Sequence, residues 1–220
     1  MGFFSNLIQP ALMAKVHDSA KRARHRIPVS RLLLVGALGA SAAYAADDPR
    51  RMLLEDARQA LRREDLPAAM AVFRKLSEGG YGPAQAEYAT LLDAANRDEE
   101  AVAWYRKAAA QGAPEGEYGL GLMYIKGEGV KRDPAAGFTW FLRAAERNYG
   151  PALREVATAY ETGELNVVQD EQKAVAWLRR AAERGERWAV TRLAQAYRQG
   201  QLGLPVDPAK AAEVESKAGF

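Results

Sequence analysis

The 220-residue sequence contains no cysteine, and its two histidines, His17 and His25, both lie near the N-terminus. Without cysteine there is no disulfide, so packing alone must stabilise the fold. Beyond residue 45 the chain has no histidine to act as a base, no thiol nucleophile and none of the commonest metal ligands. The sequence therefore predicts no catalytic residue, no metal site and no cofactor, and we expect that the protein is not an enzyme.

A basic patch is also lacking once the charges are located along the chain. The formal net charge is +3, from 31 Lys and Arg against 28 Asp and Glu. Six of the basic residues but only one acidic residue lie in residues 1–45, which leaves 25 against 27, a net charge of −2, for the remainder. Nucleic-acid binding needs clustered positive charge that neutralises phosphates. Nucleic acid is therefore not an expected partner.

Residues 1–45 have the pattern of a secretory signal peptide. A basic segment ends at Arg31, the apolar run 32–40 follows, and an Ala-x-Ala motif ends at Ala45. We predict cleavage between Ala45 and Ala46, with an uncleaved anchor as the alternative. The apolar run is shorter than the about 20 residues that a membrane-spanning helix needs. The pattern predicts export to the periplasm, with full secretion as an alternative, and no membrane span after processing.

Large aromatic residues recur in the rest of the chain at a nearly constant spacing. Two series follow this period, one of Phe73, Trp104, Trp140 and Trp177, the other of Tyr124, Tyr160 and Tyr197. Each period contains two helical patterns of apolar residues, and a Gly-bearing turn separates them. Such a period is typical of an α-solenoid, and it predicts an all-α fold of about five helix hairpins. We expect the tryptophans to fill the core between hairpins.

Capping residues define where the helices of each hairpin begin and end. Asp133, Asp170 and Asp207 each precede a second helix, where a carboxylate can accept hydrogen bonds from free amides. Gly112 and Gly185 close second helices, and Asn148 takes the same place in another repeat. Glycine and asparagine both tolerate the left-handed conformation at a helix C-terminus. The aspartates are therefore interpreted as caps rather than as catalytic groups.

The run from Tyr118 to Asn148 carries the motif by which we identify the repeat. The matching positions are Gly127, Gly129, Val130, Asp133, Trp140, Ala144 and Ala145. The chain from residue 83 onward resembles the Sel-one-like repeat (SLR) family, relatives of the tetratricopeptide repeats. The resemblance implies a right-handed superhelix that serves as a scaffold, in envelope assemblies or in the control of a membrane sensor, as in exopolysaccharide export and its regulation.

The predicted domain organisation follows from these patterns. Residues 1–45 are the signal peptide, with Met13 as an alternative true start, and residues 46–51 are a short disordered lead. Residues 52–82 form a tetratricopeptide-like first hairpin, because their connecting turn is too short for the SLR motif. Residues 83–220 contain the SLR repeats.

Protein binding is the leading functional hypothesis, because the first helices of stacked hairpins line a concave face that can hold a partner peptide. The side chains predicted to contact a protein partner in the cell envelope are Tyr118, Arg154, Thr158, Glu161, Thr191, Arg192 and Gln195.

The alternative hypothesis is contact with peptidoglycan or another polysaccharide. Sugars stack on exposed aromatic rings, and the candidates for such stacking are Tyr81, Tyr118 and Tyr149.

Overall fold

The computed structural model describes residues 48–217, and this part of the chain consists of α-helices and irregular connections, without a strand. The helices are α1 Pro49–Arg62, α2 Leu66–Glu78, α3 Gly82–Ala94, α4 Asp98–Ala110, α5 Pro114–Lys126, α6 Pro134–Glu146, α7 Gly150–Thr162, α8 Glu171–Glu183, α9 Arg187–Gln199 and α10 Pro208–Lys217. They belong to two compact units that divide after Gly112, with α1 to α4 in the first unit and α5 to α10 in the second. Consecutive helices within each unit pack against each other, so the predicted all-α hairpin architecture is confirmed. The predicted signal peptide, with its cleavage site at Ala45 and Ala46, lies outside the described residues.

The first helix begins earlier than the sequence predicts. Residues 49–51, assigned to a disordered lead, form the first turn of α1. Asp48 caps this turn, because its side chain accepts a hydrogen bond from the backbone nitrogen of Arg50 at 2.9 Å. Pro49 occupies the first helical position, where no amide donor is needed. The predicted disordered lead is therefore wrong for residues 49–51.

The first unit consists of two hairpins around a shared core. Phe73 on α2 and Leu92 on α3 are both fully buried. The buried amide of Gln85 donates from Nε2 to the carbonyl oxygen of Ser77 at 3.0 Å, which satisfies a polar group inside this core. Within this unit, apolar packing therefore joins the first hairpin to the second.

The second unit consists of three hairpins, α5 with α6, α7 with α8 and α9 with α10. Small residues allow close helix approach, since Ala152 on α7 and Ala189 on α9 have no exposed surface. Glycines allow a close approach of α5 and α6 as well, since a Cβ added at Gly137 would lie 2.8 Å from the carbonyl oxygen of Gly121. Small residues at these positions therefore let neighbouring helices pack closely.

The predicted aspartate caps are confirmed. Asp133 Oδ1 accepts a hydrogen bond from the backbone nitrogen three residues later at 3.0 Å, and Asp170 and Asp207 do the same at 2.9 and 2.8 Å. At the other end of second helices, Asn148 has a φ of 62°, in the left-handed region in which Gly185 also lies. The same two devices therefore begin and end the second helices of successive repeats.

The tryptophans lie at the edge of the core rather than inside it, which corrects the expectation that they fill it. Trp104, Trp140 and Trp177 are half-buried, whereas the residues that follow each of them, Tyr105, Phe141 and Leu178, are buried. A cation three residues along the helix covers each indole ring, at 3.7 Å for the Lys107 ammonium, 4.6 Å for the Arg143 guanidinium and 5.1 Å for that of Arg180. The amphipathic indole is thus placed between the apolar core and a basic side chain.

Candidate functional site

Six of the seven residues predicted to contact a partner lie on α7 and α9, the first helices of two successive hairpins in the second unit. The hydroxyl and amide side chains among them are exposed, and the charged ones are half-buried. We call these six residues the first-helix face: Arg154, Thr158, Glu161, Thr191, Arg192 and Gln195.

An ion pair joins the two helices of the first-helix face. Arg192 on α9 donates from Nε to Oε1 of Glu161 on α7 at 2.9 Å. The same guanidinium donates from Nη1 to Oε1 of Gln201, in the loop after α9, at 2.8 Å. Because both partners are partly exposed, the pair contributes only about 0.2–1 kcal/mol to stability. Its larger effect is to fix the two charged groups of neighbouring repeats in one position.

Arg154 makes a second contact between the same helices. Its guanidinium carbon lies 5.1 Å from the centroid of the Trp188 ring on α9. The indole is fixed in turn, because Trp188 Nε1 donates to Oε2 of Glu186 at 3.1 Å. Cation and ring therefore hold each other across the repeat boundary.

Tyr118, the seventh residue predicted to contact a partner, lies in the core. Its ring stacks on Phe141 with centroids 5.0 Å apart and tilts against Tyr149 at 5.5 Å. Only 7% of its surface is exposed, and burial raises the pKa of its hydroxyl well above the ordinary value of 10.0. Tyr118 packs against the aromatic residues of α6 and of the junction before α7, so its ring is not available to a ligand.

A small cleft of about 120 Å³ lies beside the first-helix face, between α5, α6 and α7. Of the predicted residues it includes Thr158. Its other lining residues are Leu122 and Ile125 of α5, Phe141 of α6, Glu155 and Ala159 of α7, and Glu164 and Leu165 of the following loop. We call this the α5–α7 cleft. It combines apolar walls with two carboxylates.

Glu155 is the group in this cleft that sequence reasoning missed. It is half-buried, and among residues 48–217 its carboxylate makes no hydrogen bond and no ion pair. Burial raises the pKa of Glu155 above its ordinary value, and the neighbouring charge of Glu164 acts in the same direction, while Arg154 lowers it. A partly desolvated carboxylate that makes no hydrogen bond or ion pair within residues 48–217 is a favourable site for a cation.

A sequence signal for the cleft was available in α5. Leu122 and Ile125 occupy the positions that Thr158 and Glu161 take 36 residues later. The same helical face is therefore polar in one repeat and apolar in the one before it. Such a change at a face predicted to bind a partner indicates an apolar subsite.

The second unit also contains a fully buried carboxylate, that of Glu117 on α5. Its Oε2 accepts a hydrogen bond from Arg147 Nε at 3.2 Å, and Arg143 Nε lies 3.5 Å from Oε1. Burial raises the pKa of Glu117 above 4.5 even though both arginines lower it. Because the carboxylate has no exposed surface, this group belongs to the scaffold and not to a binding surface.

The described part of the chain offers little to two other kinds of site. No group of three or more His, Cys, Asp or Glu in residues 48–217 is arranged to hold a metal ion. Tyr81 and Tyr118, proposed for sugar stacking, are buried, and Tyr149 is half-buried against the core.

None of the helices described between residues 48 and 217 is both long and apolar enough to cross a membrane.

Helical hairpins that repeat with a fixed period, and first helices that carry a polar face, define an α-solenoid repeat protein. The Sel1 repeat pattern matches residues 94–112, 114–149, 150–186 and 189–213. The chain therefore belongs to the Sel1 repeat family, as the resemblance in its motifs predicts. Repeats of this family generally act as non-enzymatic scaffolds for protein interaction.

Two curated proteins illustrate how widely the repeat occurs. Chitin synthase regulatory factor 3 of Schizosaccharomyces pombe is 36% identical over a region that covers 26% of this chain and 6% of that protein. An uncharacterised protein of Neisseria meningitidis is 31% identical, with coverage of 39% of this chain and 26% of that protein. The chain thus spans only a small part of the length of these relatives.

Two solved structures share the fold. The Sel1 repeat protein of Oxalobacter formigenes is 28% identical with a TM-score of 0.61, covering 70% of this chain and 62% of that chain. A protective antigen of uropathogenic Escherichia coli strains, described as displaying an SLR fold, is 33% identical with a TM-score of 0.64, covering 77% of this chain and 38% of that chain. The α-solenoid fold predicted from the repeat period is thereby confirmed.

Proposed function

We propose that the protein is an exported adaptor that binds a partner protein of the cell envelope through the first-helix face. The observation that carries this proposal is the contact of Arg192 with Glu161, which fixes charged side chains of two neighbouring repeats at 2.9 Å. Side chains already held in place lose less conformational entropy when a partner binds. The signal-peptide pattern of residues 1–45 supports export.

The chemistry of the face suits a peptide chain. Thr158, Thr191 and Gln195 are exposed and can donate or accept hydrogen bonds with a peptide backbone. The paired charges of Glu161 and Arg192 beside them hold two neighbouring repeats together, which positions these polar side chains for a partner. Repeat proteins of this architecture use such faces to hold extended or helical segments.

The proposed setting is an envelope assembly, including one that forms or exports polysaccharide. One relative is named as a regulatory factor of a chitin synthase, which is a polysaccharide-forming enzyme. That relationship supports a regulatory role beside such an enzyme, with this chain acting through binding.

Photo-crosslinking in living cells tests the proposal. A photoreactive residue replaces Thr158 in the full chain, and the matched control replaces Ala176, which is exposed on α8. We expect one dominant envelope-protein adduct from position 158 and none from position 176. Mass spectrometry of the same sample should find a mature N-terminus at Ala46. Glycan adducts, or equal adducts from both positions, would contradict a protein-binding first-helix face.

A further inference from the structure

We infer that the α5–α7 cleft receives a lysine side chain of the partner protein. The inference rests on the proposed function, because the cleft opens beside the first-helix face and shares Thr158 with it. Three observations support the inference: the size of the cleft, its apolar walls and the carboxylate of Glu155.

The size of the cleft limits what can enter. Pockets for cofactors and drug-sized ligands have volumes of about 300–1,000 Å³. At about 120 Å³, the α5–α7 cleft is much smaller. The cleft can therefore receive one side chain of a partner but not a larger ligand.

The walls of the cleft favour an aliphatic stem. Leu122 and Ile125 on α5 and Phe141 on α6 supply hydrocarbon contacts, and Leu165 adds to them from the loop after α7. Methylene groups gain about 0.8 kcal/mol each when fully buried against such surfaces. An occupant with a purely polar side chain would give up this stabilisation.

The carboxylates select a positive charge at the end of that stem. Glu155 is half-buried and, within residues 48–217, makes no hydrogen bond and no ion pair. Glu164 lines the same cleft and adds a second negative charge. A partly desolvated carboxylate gains a charge-assisted hydrogen bond when a cation approaches it.

Lysine fits these conditions better than arginine. Its stem has four methylenes, and its compact ammonium can donate to two carboxylates in different directions. The planar guanidinium of arginine is larger and favours one carboxylate in a forked geometry. The small volume of the cleft and the presence of two carboxylates, Glu155 and Glu164, in its lining therefore favour the ammonium.

Binding of peptide pools to the full chain tests the inference. The probes are fluorescein-labelled random heptapeptide pools with a fixed central residue, which is Lys, Arg or the uncharged norleucine, and anisotropy measures their affinity. We expect the Lys pool to bind about tenfold more tightly than the norleucine pool. Glu155→Gln should abolish this difference, and the control Glu183→Gln, at an exposed glutamate of α8, should preserve it.

Several results would overturn the inference. They are equal affinity of the Lys and norleucine pools, tighter binding of the Arg pool, and an undiminished Lys preference in Glu155→Gln. A crosslink from position 158 to residues 1–47 of the same full-length chain would also overturn it, because the occupant would then be the protein's own basic segment.

A second variant distinguishes loss of lysine binding from misfolding of the protein. Thr158→Lys places a lysine one helical turn from Glu155, where it can enter the cleft. We expect this variant to unfold at the same temperature as the wild type and to lose the Lys preference while keeping Glu155. A preserved preference would count against the cleft as the lysine site. If the in-cell adduct persists without any Lys preference, only the lysine inference fails, whereas absence of the adduct contradicts the proposed function itself.

Discussion

Arg147 donates a hydrogen bond from Nε to Oε2 of Glu117 at 3.2 Å, and the donor is half-exposed while the acceptor is fully buried. Removal of the donor leaves a buried carboxylate that loses this hydrogen bond. We expect Arg147→Met to lower the free energy of unfolding by about 1–3 kcal/mol in urea titrations. Arg184→Met, at an exposed arginine that ends α8, should change it by less than about 0.5 kcal/mol. Equal effects of the two substitutions would show that the buried pair has no special role.

Glu117 also predicts how stability depends on pH. Burial raises its pKa in the folded protein above the ordinary 4.5. At pH values between the ordinary pKa, which applies to the unfolded state, and the raised pKa of the folded state, the folded state binds more protons than the unfolded state. Linkage therefore lowers the free energy of unfolding as the pH rises through this window. We expect the free energy of unfolding of the wild type, relative to that of Glu117→Gln, to be constant below this window and to decrease as the pH rises through it. Urea titrations over a pH series measure this difference, and an increase with pH would contradict the raised pKa.

The close approach of α5 and α6 predicts a cost for any side chain at Gly137. A Cβ there would lie 2.5 Å from Cγ1 of Ile125 and 2.8 Å from the carbonyl oxygen of Gly121. Replacement of a helical glycine by alanine ordinarily stabilises a helix by up to about 1 kcal/mol. We expect Gly137→Ala instead to destabilise the protein by about 1–3 kcal/mol, because overpacking outweighs the helix propensity. Thermal unfolding measures the sign of this change in stability. A higher melting temperature of Gly137→Ala would mean that α5 and α6 adjust to the added methyl group without loss of stability.

The hydrogen bonds of Arg180 predict that lysine cannot replace arginine at this position without a loss of stability. It donates from Nε to Oδ1 of Asn148 at 2.8 Å and from Nη2 to the carbonyl oxygen of Glu146 at 2.7 Å. A lysine keeps the charge but cannot form both bonds in this forked geometry. We expect Arg180→Lys to cost about 1–2 kcal/mol and to speed amide exchange around Asn148. Arg184→Lys is the matched control, and an equal exchange rate in both variants would show that the two hydrogen bonds of Arg180 do not hold the chain at Asn148.

The regular parts of this structure could be predicted from the sequence because local interactions determine them. Asp133 and Asp170 cap the helices that follow them, since the cap bond joins residues three positions apart. The left-handed φ of Asn148 is likewise a local requirement at a helix end. Helix existence and period follow from the same short-range pattern, so the family could be identified before the structure was known.

The candidate site was less predictable, because it depends on contacts between helices. The position of Tyr118 in its repeat predicts that it contacts a partner from α5. In the structure Phe141 of α6 stacks on its ring, and Tyr118 lies in the core. Trp140 was expected in that core for its size, and the cation of Arg143 covers it at the edge. Glu155 has no unusual sequence context, and its place in a cleft lined by residues of α5 and α6 depends on contacts between helices.

The pair of Arg192 and Glu161 allows position and charge to be tested separately. Arg192→Glu places two carboxylates together across α7 and α9, so we expect a loss of about 1 kcal/mol in stability and loss of the crosslinked adduct from position 158. The double variant Glu161→Arg with Arg192→Glu restores an attractive pair with its orientation reversed. We expect it to recover the stability, as measured by urea unfolding, and the adduct, because the pair acts by holding two repeats together. A double variant that regains stability without the adduct would show instead that the partner reads the sign of charge at each position, and the interpretation of this pair as a positioning contact would be wrong.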